Sequence, residues 1–132
     1  MKLNSQTRYG LRACYILAQF YNKNSVSASE LERYLNVSSK YVEQIMRKLS
    51  AGKIVGANRG ATGGYFLLRS PNEVTVGEIV RLTENGVELV ECVKKDSSCK
   101  CCPTSRTWKK VNEKINQVLD EITLEQMING DI

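Results

Sequence analysis

Four of the five cysteines stand within eleven residues, Cys92-Val-Lys-Lys-Asp-Ser-Ser-Cys99-Lys-Cys101-Cys102, with Pro103 next. Lysine, serine and aspartate between them make this a polar loop, not a packed segment. Soft thiolates select iron–sulfur clusters, zinc or copper(I). The spacing C-x6-C-x-C-C does not match the paired C-x2-C knuckles of a structural zinc site. Adjacent Cys101 and Cys102 are awkward on one tetrahedral ion but can reach different atoms of a cluster. A redox thiol pair is the third chemistry open to this loop. The fifth cysteine, Cys14, lies at the edge of an apolar helical stripe and reads as a small core residue. The chain has no histidine. That excludes His-based triads, His-metal sites and imidazole pH switches. With no nucleotide motif and no paired carboxylates in a plausible cleft, an enzyme is not expected.

A second constellation runs from Ser38 to Gly52. Val42, Ile45, Met46 and Leu49 recur at helical spacing and form an apolar face. Lys40, Glu43, Gln44 and Arg47 repeat that spacing two residues earlier, about 200° around the helix. Ser38 is an N-cap and Gly52 a C′ residue, which bounds the helix. One side packs. The other offers a cation, a carboxylate, an amide and a guanidinium, the groups that read base edges and phosphates in a major groove.

The elements that must hold these groups follow from the rest of the chain. At 132 residues it is long enough for one domain with an appended element. Residues 1–70 carry 11 Lys/Arg against 3 Asp/Glu, a net of +8, and residues 71–132 carry 8 against 11, a net of −3. A basic first half predicts a polyanion-binding surface there. The longest apolar runs fall far short of a membrane span, and MKLNSQTRYG has no signal-peptide core, so a cytoplasmic protein with no membrane partner is expected.

A first helix is predicted over about Gln6 to Tyr21, burying Tyr9, Ala13, Ile16, Leu17 and Phe20, with Arg8 and Arg12 one turn apart and able to meet phosphates. Ser27-Ala-Ser-Glu30 is a capping box that opens a short helix with Leu31, Tyr34 and Leu35 inward. A tight link at Asn36-Val37 then leads to Ser38. This is the helix-turn-helix pattern. After Gly52, Lys53-Ile54-Val55 and Tyr65-Phe66-Leu67-Leu68 flank Asn58–Gly64, which predicts a β-hairpin "wing" with Arg59 at its tip. An arginine there can enter a minor groove. Thr75-Val-Gly-Glu78 is a second capping box, opening a helix that packs Val76, Ile79, Val80 and Leu82 and closes at Glu84-Asn85-Gly86.

Beyond Pro103, Trp108, Val111, Ile115, Val118 and Ile122 step 3, 4, 3, 4, a heptad seam over about Thr104 to Glu121. The seam is short, so it must pack on another surface, most simply the same helix of a second subunit. Thr123-Leu-Glu-Gln126 is a third capping box, starting a last helix that ends at Asn129-Gly130. The expected fold is mainly α. It comprises a winged helix-turn-helix domain over 1–83, a connector and cysteine loop over 84–103, and a dimerisation helix with a short terminal helix over 104–132.

These residues resemble the Rrf2 family of bacterial winged-helix regulators, with its IscR, NsrR and CymR types. The resemblance covers nearly the whole chain. It rests on MKLNSQTRYGL, Lys40-Tyr-Val-Glu-Gln44, Arg59-Gly-Ala-Thr-Gly-Gly-Tyr65, Thr75-Val-Gly-Glu78, and the Trp108 helix with Ile122-Thr-Leu-Glu-Gln126. It implies a homodimeric transcription factor on a palindromic double-stranded operator, with Lys40, Glu43, Gln44 and Arg59 at DNA-reading positions. The full candidate DNA-contacting set is Arg8, Ser38, Ser39, Lys40, Tyr41, Glu43, Gln44, Arg47, Arg59, Gly60 and Thr62.

The resemblance also implies an iron–sulfur cluster, 2Fe-2S in preference to 4Fe-4S, held by Cys92, Cys102 and a middle cysteine, Cys99 by spacing in preference to Cys101, with Cys101 as candidate fourth ligand ahead of Ser105 or an exogenous group. The chain departs from the family here: Ser105 stands where the IscR type has histidine, and Arg8 falls near the acidic ligand of the NsrR type. The expected function is a repressor sensing redox, iron–sulfur or nitric oxide status. The alternative is a cluster-free regulator using a thiol switch, zinc, or a partner enzyme of cysteine or cluster biosynthesis. A protein–protein adaptor built on the same fold would show no salt-dependent affinity for DNA.

Overall fold

Asn4 accepts the amide of Thr7 through its side chain and opens α1 (Ser5–Gln19). The computed structural model describes residues 2–61, 63–84, 86–88 and 103–132. α1 is the hub: α2 (Ala28–Leu35), α3 (Ser39–Ala51), the hairpin, α4 (Val76–Thr83) and the terminal α6 (Leu124–Asn129) all pack against it. Its buried face is Thr7, Gly10, Ala13, Cys14, Leu17 and Ala18. That face is rotated from the predicted stripe. Ala13 and Leu17 are buried, whereas Tyr9, Ile16 and Phe20 pack only in part. The reason is steric. A helix contacted by five elements must present small residues at the centre, and its bulky side chains fan out at the edges. The helix also stops two residues before Tyr21.

α2 begins at the capping box, where Ser27 and Glu30 satisfy each other's amides. Leu31 and Leu35 are buried, but Tyr34 is 51% exposed, against its predicted inward position. On an eight-residue helix two leucines fill the available core contact, and Tyr34 lies beyond its edge. Asn36 then takes the left-handed conformation, φ 56°, and turns the chain through Asn36-Val37-Ser38 into α3. α3 buries Val42, Ile45, Met46 and Leu49, as its periodicity predicts. Gly52 caps it at φ −87°, so the left-handed residue expected there is instead Lys53, φ 57°. Gly52 also lies close against α4, where a Cβ would press on the Leu82 side chain.

The hairpin pairs β1 (Val55–Asn58) with β2 (Gly64–Leu67), in the register Val55 opposite Leu67 and Asn58 opposite Gly64. The first strand starts at Val55, two residues later than the apolar run suggests, because the left-handed Lys53 still belongs to the turn. Val26 adds a one-residue third strand by exchanging two 2.8 Å backbone hydrogen bonds with Tyr65. That approach leaves no room for a side chain at 64, where a Cβ would lie 2.5 Å from Val26 O.

α4 opens with the Thr75–Glu78 capping box. The last long helix, α5 (Ser105–Glu121), buries none of its residues fully. Ile115, Leu119 and Ile122 lean on Val76 and Val80 in a second, smaller apolar cluster that also contains Val87. The chain then returns to the main body. Val76 N donates to Ile122 O at 2.9 Å and Leu124 N to Val74 O at 3.0 Å, and Leu124 is fully buried in the main core. A third capping box, Thr123 with Gln126, starts α6, and Gly130 ends it at φ 73°.

Candidate nucleic-acid interface

The buried face of α3 fixes where its other face points. Lys40, Glu43 and Arg47 are exposed and Gln44 is half-buried. Ser38 and Ser39 are exposed at the N-terminus of the helix, where Ser38 Oγ accepts the Tyr41 amide at 3.2 Å. The free amides of that first turn, and the positive end of the helix dipole, suit an anion.

α1 braces α3 along its length. Ser5 Oγ and Tyr41 OH lie 2.6 Å apart, the rings of Tyr9 and Tyr41 meet edge-to-face at 5.8 Å, and Lys48 Nζ donates to Gln6 Oε1. Arg12 stacks over Tyr9 at 5.7 Å and donates to Tyr34 O at 3.2 Å. Arg8, one turn before Arg12, is exposed. Tyr41 is thus half-buried and engaged with α1, while Arg8 is free to face solvent. The side chains of Arg8, Lys40, Glu43, Arg47 and Arg59 have no hydrogen bond or ion pair among the described residues.

Arg59 and Gly60 stand exposed at the tip of the hairpin, where Gly60 has φ 103° and its carbonyl accepts from Gly63 N at 3.0 Å. Thr62 lies outside the described residues, and so do the four candidate ligands Cys92, Cys99, Cys101 and Cys102. Cys14 is fully buried, and burial pushes its thiol up to about 12. Such a thiol stays protonated and unreactive.

The helix named for dimerisation divides into two sides. Ile115 and Ile122 pack within the chain, whereas Trp108, Val111 and Val118 are 40%, 39% and 54% exposed. Val111 and Val118, with the stems of Lys110 and Lys114, line an open apolar trough.

Several contacts that organise this surface are absent from the sequence-based reading. Glu84 accepts from Asn4 N at 2.6 Å and lies 2.7 Å from Thr7 Oγ1, so it ties the start of α1 to the end of α4. Arg81 of α4 forks onto Asp120 of α5 at 2.7 and 2.9 Å. That hydrogen-bonded pairing raises the guanidinium's affinity for its proton. Asn4 is legible as an N-cap three residues before Thr7. The two pairs 80 and 39 residues apart leave no local signal.

A helix-turn-helix followed by a hairpin wing is the architecture of the winged-helix transcriptional regulators, a class of DNA-binding proteins. Residues 3–130 match the model of the Rrf2 family, described as an iron-dependent transcriptional regulator, and the chain belongs to that family. It is 31% identical over 127 residues to the HTH-type transcriptional regulator CymR of Bacillus subtilis, covering 96% of this chain and 89% of the relative. It is 28% identical over 133 residues to the regulator IscR of Pectobacterium atrosepticum, covering 98% and 80%. The solved structure of B. subtilis CymR matches with a TM-score of 0.83 at 27% identity, over 98% of this chain and 97% of that one. T. potens IscR matches with a TM-score of 0.80 at 31% identity, over 100% and 89%. No helix among the described residues is long and apolar enough to cross a membrane.

Proposed function

We propose that the chain is a cytoplasmic repressor. Its homodimer reads a palindromic operator with α3 in the major groove and Arg59 in the minor groove, and its cysteine segment carries the signal. The observation that carries the DNA-reading part is the two-sidedness of α3. Val42, Ile45, Met46 and Leu49 lock one face into the core, and Lys40, Glu43, Gln44 and Arg47 stand together on the other. Glu43 suits a cytosine amino group and Gln44 an adenine edge, while Lys40, Arg47, Ser38, Ser39 and Arg8 suit phosphates. Gly60 lets the wing backbone approach the duplex, and Thr62, two positions on in the sequence, is a further candidate contact. Trp108, Val111 and Val118 form the face for the second subunit, continued by Ile115 and Ile122 toward the body.

For the signal, the donor set itself favours an iron–sulfur cluster. Four soft thiols stand among lysines that offset thiolate charge, with no histidine anywhere to compete. Cys92, Cys99 and Cys102 would hold a 2Fe-2S unit, with Cys101 as fourth ligand. Such a group, when bound, supplies a centre sensitive to oxidant, iron supply and nitric oxide. The chain's own residues contribute thiolates and a covalent connection from that segment into Glu84 on one side and α5 on the other.

A second reading has its own support. The chain is as similar to CymR as to IscR, B. subtilis CymR is described as the global cysteine regulator, and Staphylococcus aureus CymR has been solved in an oxidized form. On that reading the same cysteines act as a thiol switch, or a partner enzyme of cysteine synthesis supplies the signal.

The deciding experiment is an absorption spectrum of oxygen-free protein with iron and sulfide counts, followed by operator binding with and without the chromophore. A coloured protein whose affinity changes when colour is lost supports the cluster. A colourless protein after reconstitution, whose affinity responds to oxidant, supports the thiol switch. Indifference to DNA at every salt concentration overturns the whole reading.

A further inference from the structure

α5 meets α4 through two different kinds of contact. One is apolar: Ile115, Leu119 and Ile122 lean on Val76 and Val80. The other is a polar fork beside it. Arg81 Nη1 donates to Asp120 Oδ1 at 2.7 Å, and Nη2 donates to Asp120 Oδ2 and to Asn116 Oδ1, both at 2.9 Å. Asn116 is fixed in turn, because its Nδ2 donates to Asn112 O at 2.9 Å. Beneath the fork is Gly77, one turn before Arg81. A Cβ there would overlap Asp120 Oδ1 and lie 3.0 Å from Arg81 Nη1. Two positions four apart on α4 therefore engage two positions four apart on α5.

An apolar contact between helices tolerates sliding and rolling, since dispersion has no direction. A guanidinium bonded to both oxygens of one carboxylate has a single planar geometry. Arg81 and Asp120 are 41% and 48% exposed, so the pair adds little to stability. Its distinct effect is angular: it fixes how α5 lies on α4. α4 belongs to the DNA-reading body, with Leu82 against Gly52 at the end of α3.

We propose that Arg81 is a positioning residue for operator recognition. With Asp120, Asn116 and Gly77 it sets the angle between α5 and the recognition helix, and so the half-site spacing that the dimer accepts. This rests on the reading of α5 as the dimer helix. Two recognition helices joined through α5 must enter major grooves one turn apart, and each added base pair moves a half-site by about 3.4 Å and about 35°. A rigid joint discriminates between spacings, and a loose one does not.

The test uses the full chain. A palindrome selected by the wild-type protein from a random duplex pool is remade with its half-sites one and two base pairs nearer and farther. Affinities are measured for wild type, Arg81→Ala, Asp120→Ala and Arg81→Lys, with helicity and sedimentation checked for each. Wild type should prefer one spacing by about tenfold or more. Arg81→Ala and Asp120→Ala should flatten that preference to about threefold or less, or move it by one base pair, while the best affinity stays within about threefold. Arg81→Lys, which keeps the charge and loses the fork, should fall between. A dimeric variant with an unchanged spacing profile, or with equal loss at every spacing, overturns the role of the fork alone. A wild-type protein that sediments as a monomer and binds single half-sites as well as palindromes overturns the fork and the dimer reading together.

Discussion

Glu84 and Thr7, 77 positions apart, lie 2.7 Å from each other through carboxylate and hydroxyl, and the same carboxylate oxygen accepts the Asn4 amide at 2.6 Å. Thr83 completes the knot, with its hydroxyl 2.9 Å from that of Thr7 and its carbonyl accepting from Asn4 Nδ2 at 3.1 Å. Thr7 and Thr83 are both buried. Glu84→Ala leaves the Asn4 amide without its acceptor and the Thr7 hydroxyl with only its 3.1 Å bond to Asn4 Oδ1, at a cost of about 1–3 kcal/mol. Glu84→Gln keeps one oxygen in place and should lose less. Urea unfolding of the two variants checks the order, and equal midpoints for Glu84→Ala and wild type would refute it.

With α3 as the proposed reading helix, phosphate and base contacts should separate by experiment. On the proposed reading, Lys40→Ala and Arg47→Ala should each lower the slope of log affinity against log salt by about 0.9 while weakening all sequences alike. Glu43→Ala and Gln44→Ala should leave the slope unchanged and relax base preference, by about 1–3 kcal/mol at the base pair concerned. Anisotropy titrations over a salt series, on the selected palindrome and on single-base variants of it, distinguish these patterns.

Val118 is the most exposed apolar residue of α5, at 54%, and contributes little to its own chain's core. Val118→Glu should therefore leave the thermal midpoint within a few degrees of wild type and weaken the proposed dimer by about tenfold or more. Analytical ultracentrifugation reads the second effect. A variant that stays dimeric at the same concentration as wild type would show that the apolar face of α5 does not hold the subunits together.

Cys14 gives an alkaline signature. Burial raises its thiol to about 12 from the ordinary 9.0, so the folded protein holds that proton where the unfolded chain releases it. Stability from this group is therefore complete below pH 9.0 and declines as the pH rises from there toward 12. The limiting slope is about 1.4 kcal/mol per pH unit. Cys14→Ala should remove that decline in denaturant titrations across the range. In the native protein at pH 8, mass spectrometry after iodoacetamide should find Cys14 unlabelled, and labelling at the rate of a free thiol would contradict its burial.

Local signals were the readable ones. Each of the three capping boxes forms, because serine or threonine and the acid or amide three residues on satisfy amides within their own turn. The two faces of α3 follow from 3.6-residue periodicity, and the hairpin from its glycine-rich centre. The misreadings share a cause in tertiary packing. The buried face of α1 is set by five neighbours that no periodicity reveals, and it selects Gly10, Cys14 and Ala18 over Tyr9 and Phe20. Tyr34 turns outward because Leu31 and Leu35 already fill the contact of a short helix. Val26 becomes a strand only because Tyr65 comes to meet it. Likewise, the contacts that brace the candidate interface, Ser5 with Tyr41 and Gln6 with Lys48, join positions 36 and 42 apart.

The return of the chain after α5 has a further meaning. Because Ile122 and Leu124 are stitched to Val76 and Val74, the C-terminal end of α5 is tied to the start of α4 by the backbone itself. Main-chain bonds of this kind do not depend on which side chains surround them. The exposed side of α5 is thus free to change from one related chain to another while its attachment to the body is retained.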